Sequence, residues 1–223
     1  MIPNKLALTR RHLEPELLDS LPHDDPGAVR SRADLRLINR LMGNYRWIEQ
    51  QVHHLQPKSV LEIGAGCGAL AVRLHRRAPR IAYAGVDLAP RPQNLPNSYQ
   101  WHQTDLLKSD YAKVDLVIAN LFLHHFEGPS LRSIGQHLRA CCQHLIINEP
   151  ARRPLHLHQG RLLNLLGIHS ITRHDMAVSI RAGFLGDELA CELGLSNEEW
   201  MLNQTSSWLG GYRLTASRIA PAW

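Results

Sequence analysis

Apolar residues in this chain fall into short runs separated by stretches of helical spacing. Runs of strand length lie at 59–63, 81–86, 99–103, 114–120 and 144–148, and apolar positions at helical spacing follow at 69–78 and 127–142. Two later runs, at 200–207 and 212–217, predict a final antiparallel pair of strands. Strands that alternate with helices are typical of an α/β domain with a largely parallel sheet.

Two segments stand outside this alternation. Before the first strand, leucines and other apolar residues at helical spacing predict helices over 10–21 and 29–55, with Gly43 as a weak point in the second. After the fifth strand, a leucine-rich stretch at 155–168 does not belong to the minimal alternation, and a helix is expected at 186–193. We therefore expect a helical cap over residues 1–57, a main domain over 58–223, and an insertion at 151–180.

Three alternate glycines, Gly64, Gly66 and Gly68, interrupt the chain between the first strand and the helix that follows it. Glycine adopts positive φ without strain and has no Cβ, so this turn can bend sharply and bring backbone N–H groups close to a ligand. The spacing is tighter than the Gly-x-Gly-x-x-Gly of nicotinamide and flavin sites. An ordinary tight strand-to-helix connection is the alternative interpretation.

Asp87 ends the second predicted strand, where a doubly wound fold presents an acid to ribose hydroxyls. A carboxylate can accept two O–H bonds from a vicinal diol. Aspartate is also favoured as a helix N-cap, which is the alternative role for this residue.

The segment Glu62-Ile63-Gly64-Ala65-Gly66-Cys67-Gly68 resembles the first motif of class I S-adenosylmethionine-dependent methyltransferases, Asp/Glu-x-Gly-x-Gly-x-Gly. The segment 114–126, with its Leu-His-His ending, is similar to the fourth motif of small-molecule members, including ubiquinone and menaquinone C-methyltransferases. It lacks the Asn/Asp-Pro-Pro-Tyr/Phe form of family members that methylate exocyclic amines of nucleic acid bases and protein amides. The resemblance spans about 60–126.

This resemblance implies a Rossmann-like fold with a mostly parallel seven-stranded sheet, a C-terminal antiparallel strand, and S-adenosylmethionine as the cofactor. It implies that Glu62 and the three glycines shape the methionine and ribose side of the cofactor site. The remaining implied contacts are Asp87 and Leu88 at the ribose, Asp105 and Leu106 at the adenine, and Asn120 and Leu121 near the sulfur. In the family, an insertion such as 151–180 commonly forms a substrate lid. N-terminal helices commonly cap the cofactor and substrate sites, which makes five residues candidate contacts: Arg10, Arg11, Arg36, Asn39 and Tyr45. A surface or interhelix role is the alternative for each of them.

Three histidines are candidates for a base that removes a proton from the acceptor: His124, His125 and His174. Histidine titrates near neutral pH, and the carboxyl ends of strands are where open α/β sheets bind ligands, which favours the first two. A purely structural role is the alternative for each of them.

Composition refines this picture. The net charge of +5 is dispersed without a basic block, which argues against nucleic acid as the partner. The four cysteines show no metal-ligand spacing, so no metal site is expected, and the absence of a signal-like or membrane-spanning apolar segment favours a cytoplasmic protein. The sequence and the resemblance thus predict methyl transfer from S-adenosylmethionine to a small, aromatic or polyketide-like acceptor, with oxygen favoured as the attacked atom and carbon close behind. An RNA methyltransferase and a non-catalytic binding or scaffold protein are the alternatives, and the oligomeric state is unspecified.

Overall fold

The computed structural model describes residues 8–22, 24–108, 111–162 and 167–220, and only the backbone at 161–162. Its centre is a sheet of seven strands in the order β3-β2-β1-β4-β5-β7-β6. The strands are β1 Ser59–Ile63, β2 Ala82–Asp87, β3 Gln100–Gln103, β4 Val114–Asn120, β5 Cys142–Pro150, β6 Trp200–Ser206 and β7 Gly211–Arg218. The first five pair in parallel, and β7 runs antiparallel to both β5 and β6. This confirms the predicted Rossmann-like methyltransferase architecture.

Helices cover both faces of the sheet. They are α1 Leu17–Ser20, α2 Pro26–Leu41, α3 Asn44–Leu55, α4 Ala69–Arg77, α5 Gly128–Cys141, α6 Pro154–Leu162, α7 Ser170–Ala182 and α8 Glu188–Glu192. On one face, α3 and α4 bury Ile48 and Leu70 with Val60 of β1. On the other, α5 buries Leu131 with Ile63. Both faces of β1 are therefore covered, which is why its sequence is almost continuously apolar.

The predicted helix over 10–21 is wrong for most of its length, because only Leu17–Ser20 is helical. Pro15 lies in the middle of the segment and cannot donate a backbone hydrogen bond, which disfavours a continuous helix. Instead the backbone N–H of His12 bonds to the carbonyl of Arg181 at the end of α7. Residues 8–22 thus form a mostly irregular segment, here called the strap, which packs against the end of α7. The leucine spacing reflects this packing rather than one face of a helix.

The predicted helix over 29–55 divides at Gly43, which has φ +68° and precedes α3. The first half begins earlier than predicted, at Pro26, because the carboxylate of Asp25 accepts a hydrogen bond from the N–H of Ala28 and caps the helix. Proline at the first helical position is compatible with this start.

The insertion contains two helices, α6 and α7, of which α7 was not predicted. Part of the predicted leucine-rich stretch, residues 163–166, lies outside the described residues. The helix expected at 186–193 is shorter, Glu188–Glu192. Among the described residues, no helix is both long and apolar enough to cross a membrane.

Candidate functional site

The glycine turn joins β1 to α4 at the carboxyl edge of the sheet. Gly64, Gly66 and Gly68 all have positive φ, at +64°, +55° and +68°. A Cβ at Gly64 would lie 2.1 Å from Cγ of Phe122, whereas a Cβ at Gly66 would meet no atom within 4 Å. Gly64 is therefore required by close packing, while Gly66 borders open space at the N-terminal end of α4.

Asp87 connects the end of β2 to this turn. Its Oδ2 accepts a hydrogen bond from the N–H of Gly66 at 2.7 Å, and its Oδ1 accepts one from the N–H of Ala89 at 2.8 Å. The next residue, Leu88, is 72% exposed beside it. The structure thus brings the predicted ribose-binding acid directly to the predicted glycine turn.

Glu62 lies on the opposite side of β1 from the larger core and is buried. The hydroxyl of Tyr83 hydrogen-bonds its Oε2. Burial raises the pKa of Glu62 to about 8, although the Tyr83 hydrogen bond acts in the opposite direction. The side chain is therefore mainly protonated at neutral pH in this structure.

Asp105 and Leu106 follow β3 in a short 3-10 turn. Oδ1 of Asp105 accepts from the N–H of Leu107 at 3.0 Å, and Oδ2 lies 3.5 Å from Nζ of Lys108. The side chain of Leu106 is buried in the larger core. Its backbone carbonyl accepts a hydrogen bond from the hydroxyl of Tyr111 at 2.8 Å.

Asn120 and Leu121 end β4. Oδ1 of Asn120 accepts from Nδ2 of Asn148 at 2.9 Å, and its Nδ2 lies 3.4 Å from Oδ1 of Asn39 on α2. Leu121 adopts φ +54°, which is rare for a residue with a side chain, and its N–H bonds to the carbonyl of Asn148. Oδ1 of Asn148 is buried and has no hydrogen-bond partner within the described part of the chain.

The turn after β4 presents the histidine pair, His124 and His125. His124 is buried between two carboxylates, with Nδ1 2.7 Å from Oε2 of Glu149 and Nε2 3.3 Å from Oε1 of Glu16. Burial opposes protonation, but the hydrogen bonds to Glu149 and Glu16 outweigh it and raise the pKa of His124 to about 9. His124 is therefore an imidazolium held in place rather than a free base at neutral pH.

His125 has a different environment. Its side chain is 30% exposed, and its Nδ1 lies 3.7 Å from Oδ2 of Asp19. Burial, and then the charge of His124, lower the pKa of His125. Both histidines line a cavity of about 350 Å³, together with Leu13, Glu14, Pro15, Glu16, Asp19, Val178 and Ala182.

Glu149 fixes the turn that carries this pair. Its Oε1 accepts from the N–H groups of Phe122 and Leu123 at 3.0 and 2.8 Å, and its Oε2 lies 3.3 Å from the N–H of His124. The residue is fully buried near the end of β5. One carboxylate thus orients both the backbone and the imidazole after β4.

Arg11 anchors the strap, residues 8–22, over the cavity. Its guanidinium donates to the carbonyls of His124 at 3.1 Å, Phe126 at 2.9 Å and Ala182 at 2.7 Å, and stacks 4.0 Å from the ring centroid of Phe184. The strap therefore contributes the wall of the cavity opposite the end of β4.

The third candidate base, His174, lies apart from this pair. It is 47% exposed on α7, with Nδ1 3.1 Å from Oδ1 of Asp175, and it does not line the cavity. Asp175 accepts hydrogen bonds from the N–H groups of Leu17 and Leu18 in α1. The structure thus brings together two of the three predicted histidines.

Residues 31–178 match a protein family described as a methyltransferase domain. The chain belongs to this family. No curated protein matches this chain.

Solved structures share the fold of this methyltransferase. The plantazolicin methyltransferase BpumL, in complex with a monoazolic desmethylPZN analog and SAH, has a TM-score of 0.66 at 14% identity, over 87% of this chain and 91% of that one. A putative O-methyltransferase from Nostoc punctiforme PCC 73102 has a TM-score of 0.60 at 16% identity, over 91% and 64% of the two chains. Human N-acetylserotonin methyltransferase in complex with SAM has a TM-score of 0.60 at 15% identity, over 90% and 61%.

Two residues of the candidate site were not predicted from the sequence. Glu16 is 108 positions from His124 along the chain, and Glu149 is 25 positions away. Glu149 could have been noticed as a charged residue near the end of an apolar strand, since buried carboxylates generally need partners. No local pattern identifies Glu16.

Proposed function

We propose that this chain transfers a methyl group from S-adenosylmethionine to a small acceptor, aromatic or polyketide-like, with oxygen favoured over carbon as the attacked atom. The observation that carries the proposal is that one side chain, Phe122, contacts both the glycine turn and the region of the histidine pair. Phe122 packs where a side chain at Gly64 would lie, and its ring centroid is 6.4 Å from that of His125. The ring of Phe122 therefore lies between the glycine turn and the histidine pair that lines the cavity.

The residues around the turn fit the cofactor. Gly66 leaves open space beside the turn, Asp87 offers a carboxylate for ribose hydroxyls, and the unpartnered Oδ1 of Asn148 can accept a hydrogen bond near Asn120. We assign Glu62 and the three glycines to the methionine and ribose side, Asp87 and Leu88 to the ribose, Asp105 and Leu106 to the adenine, and Asn120 and Leu121 to the region of the sulfur. When bound, S-adenosylmethionine supplies a methyl group already activated by its sulfonium.

The cavity fits a small acceptor. Its volume of about 350 Å³ lies in the range of small-molecule sites, and Leu13, Pro15 and Val178 give it an apolar side opposite the histidines. What remains for the protein is to align the acceptor, exclude water and promote loss of the acceptor proton. We assign this last role to the histidine pair: His125, whose pKa is lowered, accepts the proton, and His124, already protonated between Glu149 and Glu16, positions it. We assign α6 and α7 of the predicted insertion, with the cap before residue 58, to enclosing the acceptor.

The test is a binding and turnover experiment on the purified chain. Calorimetry should detect S-adenosylmethionine and its demethylated product, and mass spectrometry should detect a mass gain of one methyl group on members of a panel of phenols and enols. Binding without turnover across phenols, carbon acids and RNA would favour a non-catalytic protein. Turnover on RNA alone, with affinity that falls steeply with salt, would favour the RNA alternative. Fractionation of the source cells tests the expected cytoplasmic location.

A further inference from the structure

Three side chains from two distant parts of the chain converge at the cavity. Glu16, His124 and His125 each present one potential ligand atom within 4.8 Å of the others, and no other such group of three occurs in the described ranges. Oε1 of Glu16 and Nε2 of His124 are 3.3 Å apart. Ligand atoms about 2.1 Å from a tetrahedral ion lie about 3.4 Å from each other, so this pair already has the required spacing.

The surroundings of His124 hold its ring with Nε2 against Oε1 of Glu16, so an ion at this point would replace the proton between these two atoms. Glu149 lies against its Nδ1 at 2.7 Å and is itself fixed by the N–H groups of Phe122 and Leu123. A carboxylate that accepts from the far nitrogen of an imidazole is the usual support of a metal-bound histidine, because it fixes the ring and its tautomer. This leaves Nε2 directed towards Glu16.

His125 also has a carboxylate beside its Nδ1, at a longer distance than in His124. Asp19 faces its Nδ1 at 3.7 Å. The cavity adjoins both imidazoles and Glu16, so an ion bound by these three residues would have positions left for another ligand. Two histidines and one carboxylate with open positions are typical of catalytic zinc and non-haem iron sites.

We propose that Glu16, His124 and His125 form a binding site for a divalent transition-metal ion at the floor of the cavity. The use of this ion in methyl transfer rests on the proposed function: held by the histidine pair and Glu16, the ion would polarise a bound hydroxyl oxygen, the hydroxyl proton would pass to solvent, and the oxygen would then take the methyl group as the methyl–sulfur bond breaks. Binding of the ion itself is independent of that role.

The experiment is a titration of the full chain, stripped with a chelator, with Zn²⁺ by calorimetry and with Co²⁺ by visible absorption. We expect one ion per chain and a Co²⁺ spectrum typical of four or five ligands. Glu16→Gln and His125→Ala should each weaken Zn²⁺ affinity at least about tenfold, and Asp19→Asn should weaken it less. These three positions are partly or fully exposed, so the variants are expected to fold, which circular dichroism checks.

The matched control is the double variant His53→Ala/His54→Ala, which removes another adjacent histidine pair, exposed on α3. It should keep the Zn²⁺ affinity of the wild type within about twofold. Equal affinity in the wild type, Glu16→Gln and His125→Ala would overturn the metal site and leave an ion pair only. Because S-adenosylmethionine binding is measured on the same samples, loss of the metal site and failure of the proposed function are separate results.

Discussion

The carboxylate of Asp87 accepts a hydrogen bond from the N–H of Gly66 at 2.7 Å, so the end of β2 holds the turn at the end of β1. The same carboxylate is the one assigned to the ribose. A ligand that bonds to Asp87 therefore meets a turn whose position is already fixed, which reduces the ordering cost of binding.

Asp87→Ala should weaken S-adenosylmethionine binding about 10- to 100-fold, the effect of losing a charge-assisted hydrogen bond and the support of the turn. Calorimetry measures this directly. The matched control is Asp115→Ala, since Asp115 also accepts from two backbone N–H groups, those of Lys58 and Ser59, at the other end of β1. That variant should lose stability but keep the affinity. Unchanged affinity in Asp87→Ala would contradict the assigned role.

Gly64→Ala should lower the free energy of unfolding by about 2 to 5 kcal/mol, because the new Cβ would overlap Phe122 and the residue must keep φ +64°. Gly43→Ala has nearly the same φ but no atom within 4 Å, and should cost about 1 to 2 kcal/mol. Urea unfolding of both variants measures the difference. Equal losses would show that backbone strain alone requires glycine at position 64.

The stability of the wild type should fall as pH rises from about 5 to about 8, through Glu62. In the unfolded chain this carboxyl ionises near its ordinary pKa, whereas folding raises the pKa to about 8, so raising the pH favours unfolding over this range. Glu62 faces the Tyr83 hydroxyl and the charge of Asp87. Glu62→Gln should remove this dependence. The free energy of unfolding of the variant minus that of the wild type should therefore increase by about 2 to 4 kcal/mol between pH 5 and pH 8, because only the wild type loses this stability.

Urea unfolding at several pH values tests this, with the exposed Glu198→Gln as control. The control should follow the wild type throughout. A constant difference between Glu62→Gln and the wild type at all pH values would mean that Glu62 is ionised in the folded protein.

Arg11→Ala should expose the strap to proteolysis. The substitution removes three hydrogen bonds from a guanidinium to carbonyls of the turn after β4 and the end of α7. Cleavage after Glu16 by a glutamate-specific protease should accelerate at least about tenfold, because local opening becomes easier. The neighbouring exposed residue serves as control: Arg10→Ala should be cleaved at the wild-type rate. Equal rates for both variants would mean that Arg11 does not anchor the strap.

Much of the fold was predictable because its signals are local. β4 occupies the predicted 114–120, and the glycine turn lies between β1 and α4 as expected. The strap was not predictable from leucine spacing, since its position depends on carbonyls near residues 124 and 182. The same reason explains the missed Glu16, whose partner His124 is distant in sequence. The glycine turn and the acid at the end of β2 carry local signals in the sequence, whereas the partners of His124 are defined only once the chain is folded.

Phe122 occupies the space between the glycine turn and the histidine pair, but belongs to neither the turn nor the cavity lining. A smaller residue at this position would leave space between the glycine turn and the histidine pair. A larger one would push against Gly64, where a Cβ would already lie 2.1 Å from the Phe122 ring. Under the proposed function, the size of this aromatic ring therefore limits how closely an acceptor beside the histidines can approach the glycine turn, which makes position 122 a place where acceptor selectivity can change.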